Sequence, residues 1–232
     1  MALEVPEDRL SIAIVEDEAL YRDLLRIALS QHPRLLITGA FGDGEAALAA
    51  LPGLEPRVAI LDIALPGALN GIQLGLLLRR QLPKLGIVLL SNHGDPEFVA
   101  SLPPGAITGW SYLLKRSVSD AAALGRAIEG AAAGFVVLDP QLVGGLQPRP
   151  DGPLSRLTSR QTEILGLIAQ GYTNAAIARR LVLAEKSVQN QINQIYQQLG
   201  IDRGDTAVHP RVTAVLTYLR ESQFRGWEQS PR

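Results

Sequence analysis

Five short, almost wholly apolar runs dominate the first half of the chain: SIAIV (11–15), LLITGA (35–40), RVAIL (57–61), GIVLL (86–90) and WSYLL (110–114). Each is too short for a helix and shows little alternation with polar residues, which suits strands covered on both faces. Between them stand longer stretches with helical spacing: EALYRDLLRIALSQ, GEAALAAL, GIQLGLLLRRQL, DPEFVASL and, after the last strand, SVSDAAALGRAIEGAAAG with a serine cap. Pro103 and Pro104 stop the fourth of these early. Strand and helix in strict alternation predict an α/β fold, a doubly wound, five-stranded parallel sheet.

The residues that follow the strands carry the chemistry. Glu16 and Asp17 follow the first, Asp62 the third, Ser91 the fourth and Lys115 the fifth. In an open parallel sheet the carboxyl edge is where ligands bind, so these side chains are expected to converge on one cleft. A turn-forming Asp or Ser at a strand end is ordinary when taken singly. Three carboxylates, a hydroxyl and an ammonium at equivalent ends of four strands are a pattern. Clustered carboxylates repel unless a cation joins them, and all-oxygen ligation favours Mg2+. The expectation is that Glu16, Asp17 and Asp62 hold the metal and that Asp62 is the nucleophile toward a phosphoryl group. Lys115 then pairs with the phosphoryl oxygens, and Ser91 donates a hydrogen bond to them.

A stretch holding four prolines and three glycines, DPQLVGGLQPRPDGP (139–153), reads as the end of an interdomain linker. The division expected is a first domain over 8–134, a linker over 135–153 and a second, all-α domain of four helices over 154–223. In that second domain Thr158 and Gln161 form a capping box, Gly171 ends the first helix and Thr173 caps a shorter one. A third helix runs from about Glu185 to Leu199. Val188, Ile192, Ile195 and Leu199 face its core, leaving Lys186, Gln189, Asn190, Asn193 and Gln197 on the polar side, where Asn and Gln suit base edges. A last helix, RVTAVLTYLRES, carries the stripe Val212, Val215, Leu216 and Leu219, expected mainly in core packing.

Charge supports two units of different character. Residues 1–150 hold 12 Lys+Arg against 16 Asp+Glu, and residues 153–220 hold 8 against 4, within an overall charge of -1. An acidic half can gather a cation and a basic half can meet phosphates. The absence of cysteine removes thiol catalysis and cysteine-ligated zinc. No apolar run approaches a membrane span, and the acidic start MALEVPED lacks the features of a signal peptide, so no membrane partner and a cytoplasmic location are expected.

Through IVEDE, LDIALPGALNG, Ser91 and YLLK, residues 10–132 resemble the receiver family, whose fold is flavodoxin-like. LTSRQTEILGLIAQGYTNAAIARRL and KSVQNQINQIYQQLGI resemble the LuxR/FixJ/NarL class of helix-turn-helix domains over about 155–201. Together these imply a two-component response regulator that is no turnover enzyme. A sensor histidine kinase would be its phosphodonor, Ser91 and Tyr112 would switch when Asp62 is phosphorylated, and a homodimer would form on activation. DNA would be bound at paired half-sites, with Lys186, Ser187, Gln189, Asn190, Asn193 and Gln194 toward the major groove and Thr173, Arg179 and Arg180 on the phosphate backbone. The unmodified receiver is expected to restrain the basic domain. The sequence departs from the family at Asn92 and His93 after Ser91, at Arg116 after Lys115, over SLPPGAITGW, and at Ala184, Gln189 and Gln191. Two rivals follow: an orphan regulator whose DNA binding ignores phosphate, and a phosphatase with Asp62 as turnover nucleophile, for which no general acid is evident.

Overall fold

The structure is a computed structural model that describes residues 9–94, 107–202, 204 and 208–224. Its first unit is built from β1 (Leu10–Val15), α1 (Ala19–Ser30), β2 (Leu35–Phe41), α2 (Gly44–Leu54), β3 (Val58–Asp62), α3 (Gly71–Gln81), β4 (Gly86–Ser91), β5 (Trp110–Leu114) and α4 (Ala121–Ala132). The expected helix at 95–102 lies outside the described residues. All strands pair in parallel in the order β2-β1-β3-β4-β5-β6, with β6 formed by Val137–Leu138. The doubly wound parallel sheet is as expected, with one more strand than the five apolar runs give. Alternate residues of each strand enter opposite layers: Ile12, Ile14, Val58, Ile60, Val88 and Leu90 in one cluster, and Ala13, Val15, Ala59, Leu61, Ile87 and Leu89 in the other. Both faces are therefore dry, which is why the strands read as unbroken apolar runs.

Local chemistry sets the helix starts. Asn70 and Gln73 form a capping box at α3, and Asp43 caps α2 through the Ala46 amide. At α4 the cap is Asp120, which accepts from Ala122 and Ala123, rather than a serine. Both amides reach the same oxygen, Oδ1, so one charged carboxylate oxygen satisfies two of the orphan donors of the helix start.

Residues 135–153 join the two units but are not an open chain. They carry β6, α5 (Pro140–Gly145) and β7 (Leu146–Pro148), and β7 pairs antiparallel with β8 (Ser222–Phe224). The second unit comprises α6 (Ser159–Ala169), α7 (Asn174–Leu181), α8 (Glu185–Gln198) and α9 (Pro210–Arg220). The Thr158–Gln161 capping box forms, and Thr173 caps α7 through the Ala176 amide. Val212, Val215, Leu216 and Leu219 of α9 are buried in the core, as expected.

Val182, between α7 and α8, has φ 54° and is 91% exposed. A left-handed conformation costs an L-residue about 1–2 kcal/mol, and a β-branched side chain is an outlier there. Its exposed methyls contribute almost no burial to offset this. Glycine would add about 0.5–1 kcal/mol of unfolded-state entropy, so relief of strain is the larger quantity. Val182→Gly should raise the stability of the second unit by ~1 kcal/mol in urea unfolding. A drop in the midpoint would show that the turn is not strained.

Candidate functional site

The carboxyl ends of β1, β3 and β5 meet as the sequence predicts. Lys115 extends its ammonium between two buried carboxylates, 2.8 Å from Glu16 Oε1 and 2.9 Å from Asp62 Oδ2. Glu16 is fully buried, Asp62 is 2% exposed, and Asp17 is exposed at the rim. Ligand oxygens of Glu16, Asp17 and Asp62 lie within 4.8 Å of one another. Asp62 Oδ1 accepts from the Ala64 amide at 3.1 Å. Glu16 Oε1 also accepts from the Glu18 amide at 3.3 Å, while its buried Oε2 has no hydrogen-bond partner among the described residues. A buried carboxylate oxygen left unsatisfied is costly, and a divalent cation between the three carboxylates would satisfy it.

Electrostatics follow from this packing. Burial pushes the Glu16 carboxyl above its ordinary value, with the Asp62 charge adding to the rise and the hydrogen bond and charge of Lys115 only partly opposing it. Burial alone would lower Lys115, but hydrogen bonds and charges from Glu16 and Asp62 outweigh that and hold the ammonium above its ordinary range.

Ser91 and Tyr112 share one acceptor. The Ser91 hydroxyl donates to the His93 carbonyl at 2.7 Å, and the Tyr112 hydroxyl donates to the same oxygen at 2.7 Å. The His93 amide returns a bond to Ser91 Oγ at 3.1 Å. Ser91 is thus engaged with its own loop in this structure, and Tyr112 is buried in the sheet's core beside Trp110.

Three supporting residues are not apparent in the sequence. Tyr21 of α1 donates its hydroxyl to the Lys115 carbonyl at 3.1 Å and lays its ring 4.9 Å from the Lys115 ammonium. Burial lifts the Tyr21 hydroxyl to about 12, so it remains a donor. Arg22 donates to the carbonyls of Glu16 at 2.6 Å and Asp17 at 3.2 Å, fixing the loop that presents both acids. Gly71 lies against the Asp62 carbonyl, where a Cβ would stand 2.0 Å from the oxygen. The run LPGALNG contains the signal for Gly71, but the register that brings it under Asp62 does not follow from spacing.

In the second unit the expected reading helix divides into two sets. Lys186, Ser187, Asn190 and Gln194 are exposed, whereas Gln189 and Asn193 are half-buried. Gln189 accepts from Asn174 Nδ2 at 2.7 Å, which bridges α7 and α8, and donates to Asn193 Oδ1 at 3.4 Å one turn along α8. Gln194 accepts from Gln161 at 3.2 Å. Thr173, Arg179 and Arg180 are exposed, with the Arg180 guanidinium 5.5 Å from the Tyr172 ring. The first unit touches the second at the turn after α6, where Arg126 stacks 4.3 Å over Tyr172 and donates to the Gln170 carbonyl at 3.2 Å. That contact does not cover the outward face of α8.

Residues 12–120 match the response regulator receiver domain, and residues 155–209 match the bacterial regulatory proteins of the luxR family. The DNA-binding transcriptional activator DevR/DosR of Mycobacterium tuberculosis is 31% identical over 198 residues, covering 83% of this chain and 89% of that protein. This chain is a response regulator of the luxR family. The nitrate/nitrite response regulator NarL of Escherichia coli is 30% identical to this response regulator, over 82% of this chain and 88% of its own length. A solved structure of two RcsB dimers bound to two parallel DNAs shares the fold, with a TM-score of 0.51 and 23% identity over 92% of this chain and 98% of that one. The acidic cluster and the helices α6 to α8 fall inside the two matched regions. Among the described residues no helix is long and apolar enough to cross a membrane.

Proposed function

We propose that Asp62 accepts a phosphoryl group from a sensor histidine kinase in the cytoplasm and that the modification controls DNA binding by the 154–223 domain. The observation that carries this reading is the Lys115 ammonium held between buried Glu16 and Asp62, beside a Glu16 oxygen that has no partner among the described residues. Glu16, Asp17 and Asp62 would hold Mg2+, which neutralises charge on an incoming phosphoryl group. An Asp62 carboxylate oxygen forms the new O–P bond as the P–N bond of a phosphohistidine breaks, and the imidazole keeps the electron pair. Lys115 is already placed to pair with the phosphoryl oxygens once it releases Asp62 Oδ2. Ser91 must leave the His93 carbonyl to donate to the new dianion, which removes one of the two bonds on the acceptor shared with Tyr112. The division into a receiver over 8–134 and a DNA-binding domain over 154–223 assigns these two tasks.

On the DNA side, Lys186, Ser187, Asn190 and Gln194 offer the exposed face of α8 to a major groove, with Thr173, Arg179 and Arg180 toward phosphates. These four side chains are exposed, which supports a receiver that restrains reading by means other than lying over α8. Control instead acts on how two copies are set for paired half-sites, through a homodimer formed on activation. The shared acceptor at His93 favours a second reading, a phosphate-independent regulator whose switch pair stays locked.

Acetyl phosphate with Mg2+ should label the wild-type protein, and Asp62→Asn should reduce labelling to background. Undiminished labelling of Asp62→Asn would remove Asp62 from its role. A labelled protein whose DNA affinity and oligomeric state match those of the unlabelled one would favour the second reading.

A further inference from the structure

Asp139 is a fully buried carboxylate, and among the described residues no cation pairs with it. Burying a carboxylate costs several kcal/mol in general unless hydrogen bonds compensate. Here both oxygens are used: Oδ2 accepts from the Leu114 amide at 2.9 Å and Oδ1 from the Gln141 amide at 2.8 Å. The Asp139 amide donates to the Tyr112 carbonyl at 2.8 Å, continuing a register in which Ser111 faces Val137 and Tyr112 faces Leu138. On the other side of Lys115, Arg116 Nε donates to Gln141 Oε1 at 2.9 Å. Lys115 is therefore bracketed by two residues, Leu114 and Arg116, that are both tied to the segment between the domains.

That segment is anchored equally well at its far end. Leu142, Val143 and Leu146 are buried in the same cluster as Ile164, Leu165 and Ile168 of α6. Leu146–Pro148 then pairs with Ser222–Phe224, and the Arg149 amide donates to the Glu221 carbonyl at 2.9 Å, just beyond α9. A Pro/Gly-rich stretch fixed at both ends behaves as a strut and not as a tether. A displacement at the end of β5 has a continuous, packed route to the DNA-binding helices.

We infer that Asp139 is the positioning residue that couples the receiver's phosphorylation state to the attitude of the DNA-binding domain, by clamping the interdomain strut to β5 beside Lys115. The inference rests on the proposed phosphoacceptor role of Asp62. The chemistry explains the choice of residue: Leu114 and Gln141 each point an N–H at the same side chain, and only a group that accepts at both ends satisfies them. Asparagine keeps the shape but turns an NH2 toward one of those donors. When Lys115 moves from Asp62 Oδ2 to a phosphoryl oxygen, the bracketing residues move with it, and the clamp carries that motion to α5 and α6.

The test uses the full chain, with a duplex selected in vitro for binding to the acetyl-phosphate-treated wild type. Coupling between two sites typically spans about 5–150-fold in affinity, so the wild-type ratio of DNA affinity with and without phosphodonor should fall in that range. Asp139→Asn should label at Asp62 as wild type does, yet bring the ratio to within about two-fold of one. Gln141→Ala changes an exposed side chain and leaves the core alone, so it decides the matter if Asp139→Asn does not fold; it should reduce the ratio in the same direction. Faster amide exchange at Leu114 in Asp139→Asn, measured without phosphodonor, reports the clamp independently. A wild-type ratio retained by both variants would overturn the proposal. Wild type that fails to label would overturn the phosphoacceptor reading and the coupling with it, whereas unchanged Leu114 exchange in Asp139→Asn, with wild type labelling normally, would overturn the clamp alone.

Discussion

Gly71→Ala should destabilise the receiver by about 3 kcal/mol or more and strip Asp62 of its reactivity. An added Cβ would meet the Asp62 carbonyl oxygen at 2.0 Å, its carbonyl carbon at 2.8 Å and the Ile63 Cα at 3.1 Å. All three are backbone atoms, so no side chain can swing aside. Overpacking usually costs about 1–3 kcal/mol where neighbours can yield, and a backbone obstacle puts this site at or beyond the upper end. Relief requires either the start of α3 or the end of β3 to move, and the Gly71 amide bond to the Ile63 carbonyl at 3.1 Å ties the two together. Asp62 sits at that junction and moves with it. Gly125→Ala is the matched control: it lies within α4, a Cβ there meets nothing within 4 Å, and the change should stabilise the protein by about 0.5–1 kcal/mol. Urea midpoints and acetyl phosphate labelling of both variants decide the matter. A Gly71→Ala protein that melts and labels as wild type would mean that Asp62 is not held against α3.

The sheet and its acidic rim were legible because period and strand ends determine them. An apolar run of five or six residues followed by Asp, Glu or Lys places that charge at a sheet edge whatever the rest of the chain does. Tyr21 was not legible for a related reason. Its contact with Lys115 spans 94 residues and depends on how far α1 is rotated about its axis, and an amphipathic pattern fixes that only to within a broad face. Gln189 and Asn193 show the same limit. A helical wheel puts them on the flank of the stripe through Val188 and Ile192, and the partner that draws Gln189 inward, Asn174, belongs to another helix.

The interdomain strut escaped for a different reason. Its prolines and glycines are the residues of loops, and composition says nothing about whether a loop is packed. FVVL at 135–138 is an apolar run after Gly134, the one local sign of a sixth strand, but two paired residues are too few to show a period. Asp139, read only as part of a linker, caps α5 ahead of Pro140. Its second bond, to Leu114, depends on β6 lying beside β5, a fact of tertiary structure.

Lys115→Met should cost about 3 kcal/mol at neutral pH, because removing one member of a buried ion pair leaves its partners charged and uncompensated. Two carboxylates are stranded here, Glu16 and Asp62, both almost without solvent contact. The sign of the pH dependence follows from Glu16. Burial already raises its folded-state pKa above the ordinary value, and loss of the Lys115 hydrogen bond and charge, both of which lower it, raises it further. The folded variant then binds a proton more readily than the unfolded chain, so its stability rises as pH falls from neutral through that elevated pKa toward the ordinary glutamate range. The deficit relative to wild type should shrink accordingly. At the alkaline end the deficit shrinks again, this time through the wild type: Lys115 has a raised folded-state pKa, so its stabilisation is lost as pH climbs through that value, and the variant has none to lose. Mg2+ offers a second route to relief, since a ligand at 100 times its dissociation constant stabilises by about 2.7 kcal/mol, close to the whole deficit. Thermal unfolding across pH, with and without Mg2+, separates these contributions. If Lys115→Met is as stable as wild type at neutral pH and gains nothing from acid or from Mg2+, the ammonium is not what holds Glu16 and Asp62 together, and the charge logic assigned to this site fails with it.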